Sequence, residues 1–148
     1  MFTVKELEEI KSYIKNSSDI SPIAVGCDAN YAGKNTLFVG VIGIHIDGKH
    51  GSKIFRTSKI KHDRRLSLKE KLWHEVIYSI TLANLIQEDI GKRPFEIHLD
   101  INSLESEASN IIAKEAIAMV NSYGYHNVKI KPFGSYLATY CADHYVRG

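Results

Sequence analysis

The chain lacks most of what marks a membrane-bound or disulfide-stapled protein. Its apolar runs fall well short of the roughly 20 residues a membrane-crossing helix needs, so no membrane partner is expected. Cysteine occurs only at Cys27 and Cys141, with no CxxC pair, which argues against a disulfide framework. Both sit in apolar stretches and read as small core residues rather than reactive thiols. Three prolines and ten glycines are scattered over turn-like positions, leaving no linker, low-complexity tract or internal repeat. Charge of one sign is not in excess either. The formal net charge is +2, too small to mark a dedicated nucleic-acid or membrane binder. The opening residues mix acid and base at helical spacing, unlike a signal peptide, and the expected location is the cytoplasm.

What is present suits one domain spanning residues 1–148. At 148 residues the chain can bury a real core, and 44% hydrophobic with 24% charged residues is ordinary for a globular protein. Leu7, Ile10 and Ile14 repeat at helical spacing, predicting an amphipathic helix within residues 1–20. Pro22-Ile-Ala-Val-Gly-Cys-Asp28 reads as a buried strand closed by a turn-like Asp-Ala-Asn. Leu37 to Ile46 is a second strand, Asp47-Gly48 a hairpin signal, and Ser52 to Ile60 the returning strand. The period then changes. Leu68, Leu72, Val76, Ile80, Ala83 and Ile86 share a helical face that ends before Gly91 and Pro94. Phe95 to Asn102 alternates as a strand. Ile112, Ala116, Val120 and Tyr123 mark a helix stopped by Gly124, Val128 to Pro132 a short strand, and Ser135 the N-cap of a last helix.

The order is β-β-β-α-β-α-β-α behind one extra helix. Helical crossovers make the later strands parallel to the first. A three-strand meander followed by two crossovers is the topology of the ribonuclease H-like fold: a five-stranded mixed sheet, helices on both faces, and here an additional N-terminal helix.

In that topology the strands ending near Asp28 and Asp100 are parallel neighbours with their carboxyl ends at one edge, where ligands of such sheets bind. The helix after strand 3 begins at the same edge and carries Glu75 about two turns in. Asp143 lies about two turns into the last helix, where Ala138, Cys141 and Ala142 allow close approach to the sheet. Four carboxylates converging there would hold Mg2+ or Mn2+, hard cations that take oxygen ligands. Two such ions support phosphodiester hydrolysis. Each acid alone has a plain reading: Asp28 as a turn residue, Glu75 as a solvated helix position, Asp100 on an exposed strand face, Asp143 as one more polar surface residue near a chain end.

Val25-Gly-Cys-Asp28, Ile97-His-Leu-Asp-Ile-Asn102 and Lys131-Pro132 with Ala138 and Ala142-Asp143 resemble the ribonuclease H-like YkuK family of bacterial proteins, predicted to be nucleases. The resemblance implies that Asp28, Glu75, Asp100 and Asp143 are acidic metal ligands and catalytic residues of a metal-dependent nuclease acting on RNA, DNA or a hybrid. The alternative is a ribonuclease H-like module that binds nucleic acid or a protein without cutting. A basic stretch, Lys59, Lys61, Arg64, Arg65, Lys69 and Lys71, joins strand 3 to the long helix at the same edge and is a candidate phosphate contact. It reads equally well as a solvated loop. His98 and Asn102 flank Asp100 on its strand face and are candidates for a supporting role. No histidine or cysteine pair has the spacing of a structural zinc site.

Overall fold

The computed structural model describes residues 1–102 and 104–131. The elements run α1 (Val4–Asn16), β1 (Ile23–Ala32), β2 (Asn35–His45), β3 (Ser52–Arg56), β4 (Ile60–His62), α2 (Leu68–Ile90), β5 (Phe95–Asn102), α3 (Glu107–Ser122) and β6 (Val128–Lys131). The last helix expected from Ser135, with Cys141 and Asp143, lies outside the described residues.

Local chemistry sets the helix starts. Thr3 and Ser67 each cap a helix whose third residue, Glu6 or Glu70, returns a hydrogen bond to the cap's own N–H. These reciprocal bonds satisfy amide groups that the first turn leaves without partners. Along α2 the row Val76, Ile80, Ala83, Ile86 and Ile90 is buried, and α3 buries Ala113, Ala116 and Val120.

The sheet order is β3-β2-β1-β5-β6, with β4 also paired to β2. β1 is antiparallel to β2 and parallel to β5, and β5 is parallel to β6. Alternate residues on these strands, Ile23 and Val25, Ile42 and Ile44, Ile97, Leu99 and Ile101, share one core with all three described helices. The opposite face carries a smaller cluster of Val39 and Val41 with Leu37 and Ile54. The N-terminal helix is part of the main core. Ile10 and Ile14 are fully buried, each contributing about 1.5–3 kcal/mol of apolar burial. Arg93, just beyond α2, donates to the Ser17 carbonyl at 2.7 Å and the Ser17 hydroxyl at 3.0 Å, tying the end of α1 to the end of α2.

The meander differs from expectation in two places. β1 does not end at Asp28: it runs to Ala32, and Asp28 pairs with Val39 inside the β1–β2 ladder. The turn is Gly33-Lys34, between the paired Ala32 and Asn35, with Gly33 at φ 58°, a value that costs other residues strain. The returning strand, expected as one piece from Ser52 to Ile60, is two. β3 pairs with the later half of β2 and β4 with its start. Thr57 bridges the break: its N–H donates to the Gly40 carbonyl at 2.9 Å and its hydroxyl accepts the Gly40 N–H at 3.0 Å. Gly40 is there because α2 lies directly on β2. A Cβ at that position would come within 2.6 Å of Leu82 Cδ1.

Candidate active site

The parallel ladder between β1 and β5 is short. It pairs Ile23 with Phe95 and ends at Gly26 with His98. Beyond it β1 continues along β2 with no further pairing to β5, so the two strands part at the carboxyl edge. Asp28 and Asp100 each sit two residues past the last pair, on the same strand face as Gly26 and His98 by the two-residue period. The register alone therefore brings these two acids to matching positions where the strands part. Asp28 is buried at 6% exposure and accepts the Ala29 N–H at 2.8 Å.

Glu75 reaches the same place from α2. The helix starts at the cap Ser67, at the edge where β4 finishes, and a little over two turns carry the chain to Glu75. Its side chain is buried at 4% exposure. Burial raises the Glu75 pKa well above the usual carboxylate range, and the negative charge of Asp28 raises it further. Lys71 opposes the shift, while Asp100 and a hydrogen bond with the Asp28 carboxyl add to it. Two buried carboxyl groups in hydrogen-bond contact cannot both ionise cheaply, so they share a proton or need a cation. Burial together with Glu75 and Asp28 also pushes the Cys27 thiol up, which makes it an unreactive core residue.

This pair suits a hard divalent cation. Its donors are all oxygen, and a cation would remove the repulsion that now raises the Glu75 pKa. The third acid is otherwise engaged. The Lys131 ammonium contacts Asp100 Oδ1 from the neighbouring strand β6. Among the described residues no group of three His, Cys, Asp or Glu side chains stands in an arrangement that could hold a metal ion. Asp28 and Glu75 meet, Asp100 lies within their electrostatic field, and Asp143 lies outside the described residues.

The basic stretch divides by partner. Arg64 pairs with Glu70, inside the capping network of α2, and Lys61 pairs with Asp63 at 3.5 Å. Lys59 and Lys69 are exposed. Arg65 lies over the Tyr31 ring with its guanidinium carbon 4.1 Å from the centroid and donates to the Gly33 carbonyl at 2.9 Å. Lys71 Nζ stands 5.1 Å from the centre of the same ring. Tyr31 is fixed by its hydroxyl, which donates to the Leu66 carbonyl at 2.7 Å. It thus braces two cations, of which Lys71 acts on Glu75. Sequence reading did not single out Tyr31. The usable signal was its position on the strand that carries Asp28, once that strand is known to continue.

His98 turns to a different partner. Its Nε2 is 2.8 Å from Glu96 Oε2, and burial lowers its pKa despite that carboxylate. Its Nδ1 has no hydrogen-bond partner among the described residues. Asn102 shapes the end of β5: its Oδ1 accepts the Leu104 N–H at 3.0 Å. A separate aromatic cluster of Phe38, His62, His74 and Tyr78 packs near the start of α2, with His62 bonded to the Tyr78 hydroxyl at 2.9 Å.

Comparison with curated proteins gives no significant match. Among solved structures, the N-terminal RNase H domain of a Mycobacterium tuberculosis protein, fused to maltose-binding protein, aligns over 86% of this chain and 94% of its own at 9% identity and a TM-score of 0.43. RNase H1 from the halophilic archaeon Halobacterium salinarum aligns over 83% and 92% at 11% identity, with the same TM-score of 0.43. Residues 5–147 match the family model described as Ribonuclease H-like, nearly the whole sequence, and the chain belongs to that family.

Proposed function

We propose that this chain is a metal-dependent nuclease that hydrolyses phosphodiester bonds of RNA, DNA or a hybrid. One observation carries the reading: two buried carboxyl groups, Asp28 and Glu75, are in contact where β1 and β5 part, with Asp100 in the same field. A buried, mutually repelling pair is costly without a cation, and sheet edges of this kind are where ligands bind. Asp28 and Glu75 would hold Mg2+ or Mn2+, with Asp100 and Asp143 as further ligands. When bound, such a cation supplies a nucleophilic water and neutralises charge on the phosphate. The chain's own cations do the positioning. Arg65 and Lys71, braced by Tyr31, hold backbone phosphates at the same edge, and Lys59 and Lys69 extend that positive surface. The Val25–Asp28 and Ile97–Asn102 segments support a YkuK-type member of the family, acting in the cytoplasm as one domain. No helix among the described residues is long and apolar enough to cross a membrane.

A second reading has its own support. The contact of Lys131 with Asp100 neutralises an acid that catalysis needs, as a module that only binds nucleic acid would tolerate. Cleavage assays decide between them. Purified protein with Mn2+ is expected to cut single-stranded RNA, DNA or a hybrid, and Asp28→Asn and Asp100→Asn are each expected to remove cutting while retaining binding. Binding without cutting in the wild type, across all three substrates and both metals, would establish the second reading.

A further inference from the structure

Lys131 bears directly on how many cations the site takes. It ends β6, in register with Asn102 of β5, after an irregularity in the ladder that follows His98 and Lys129. That register places it on the strand face of Asp100, one step along, within reach of a four-carbon stem. Its ammonium contacts Asp100 Oδ1, with Lys131 43% and Asp100 28% exposed as side chains. Lys71 meanwhile acts on Glu75. The three described carboxylates are therefore already opposed by two tethered positive charges.

We propose that Lys131 occupies the place of the second cation, so that this chain binds one divalent ion where the family resemblance implies two. The inference rests on the nuclease reading of the same acidic site. The first ion sits between Asp28 and Glu75, where burial and repulsion favour it most. A second would have to share Asp100 with an ammonium already in contact with it. A second ion would need the Asp100 carboxylate as a ligand, and the Lys131 ammonium already takes one of its oxygens. Its tether gives it a permanent local concentration that a free ion must outcompete. A partly exposed lysine–carboxylate pair is weak alone. The lysine opposes a second ion through its own positive charge, which adds to that of the first ion, as well as through its bond to Asp100.

The test is a titration of metal-free protein with Mn2+, read by calorimetry for stoichiometry and by electron paramagnetic resonance for coupling between ions. The wild type is expected to bind one Mn2+ with an uncoupled spectrum. Lys131→Met, which keeps the stem and removes the charge, is expected to bind the first ion about tenfold more tightly and to take up a second that gives a coupled signal. Lys131→Arg should retain the wild-type stoichiometry. Asp100→Asn added to Lys131→Met should lose the second ion only. Two coupled ions in the wild type would overturn the proposal whatever the variants do. So would identical stoichiometry and affinity in wild type and Lys131→Met; if that single ion is lost in Asp28→Asn, the acidic site stands and only the role of Lys131 falls. Failure of the wild type and every variant to bind Mn2+ would refute the metal-dependent reading and this inference together.

Discussion

Replacing Glu75 by glutamine should make the metal-free protein more stable, and only at neutral to alkaline pH. Glu75 is 4% exposed and hydrogen-bonded to the Asp28 carboxyl. Two charges about 4 Å apart repel by about 4 kcal/mol at an effective dielectric near 20. Lys71 returns part of this, leaving a net penalty of about 1–3 kcal/mol when both acids are ionised. The pH dependence follows from the direction of the shift. The Glu75 pKa is raised in the folded state above the ordinary glutamate value of 4.5. Its contribution is therefore fully present below about pH 4.5 and is lost as pH rises through the folded value. Glutamine does not titrate and can donate an N–H to Asp28 throughout. Chemical denaturation in EDTA at pH 5 and pH 8 measures the effect. Glu75→Gln should match or fall slightly below the wild type at pH 5 and exceed it by about 1–3 kcal/mol at pH 8, roughly 2–10 °C in Tm for a chain of this size. Mg2+ should reverse the order, since an ion at a hundredfold excess over Kd stabilises the wild type by about 2.7 kcal/mol. A variant destabilised equally at both pH values would refute the account of Glu75 as one of two crowded carboxyls.

Three other perturbations probe separate parts of the fold. Hydrogen bonds from Arg64 and from the Ser67 backbone lower the Glu70 pKa to about 2, so its stabilising contribution is present above pH 4.5 and lost as pH falls toward 2. Glu70→Gln should flatten the acid limb of a thermal-stability profile between those values and leave the neutral region nearly level. Gly40→Ala places a methyl 2.6 Å from Leu82 Cδ1 and should cost about 1–3 kcal/mol by overpacking; urea melts should show the double variant with Leu82→Ala losing less than the sum of the two single losses. Arg65→Ala should weaken binding to a fluorescent oligonucleotide across all sequences and reduce the slope of log K against log salt by about one, whereas an unchanged slope would remove Arg65 from the phosphate contacts.

The strongly periodic elements were legible in the sequence. β5 alternates cleanly because one of its faces is core, and the apolar row of α2 names the buried side of that helix in advance. The meeting of Asp28 with Glu75 followed from topology, because the strand before α2 runs the same way as β1 and so starts that helix at the same edge. The end of β1 was not legible. Asp28-Ala29-Asn30 has turn composition, but pairing with Val39, Phe38 and Leu37 keeps it extended, and tertiary pairing outweighs local preference. The break between β3 and β4 was hidden too: both pieces pair with β2, but the register slips by one residue across the gap, from Arg56 opposite Val41 to Ile60 opposite Phe38. Where the buried face of α1 would dock, and that Lys131 would reach Asp100, depend on contacts between distant segments that no local pattern carries.

The position of β1 in the sheet also shapes how this protein must be made. β1 ends up in the middle, yet one of its partners is the adjacent β2 and the other begins at Phe95. At the usual pace of a ribosome, β5 follows β1 by on the order of 4–14 s. During that interval the meander can form with Ile23-Ala24-Val25-Gly26 as its outer border, a run without charge or proline to discourage pairing with another chain. α2 emerges before β5 and can cover the apolar face of the young sheet, but not its open backbone edge. The nascent chain is therefore most vulnerable to sticking between the second strand and the fifth, and slower decoding between them would lengthen the exposure.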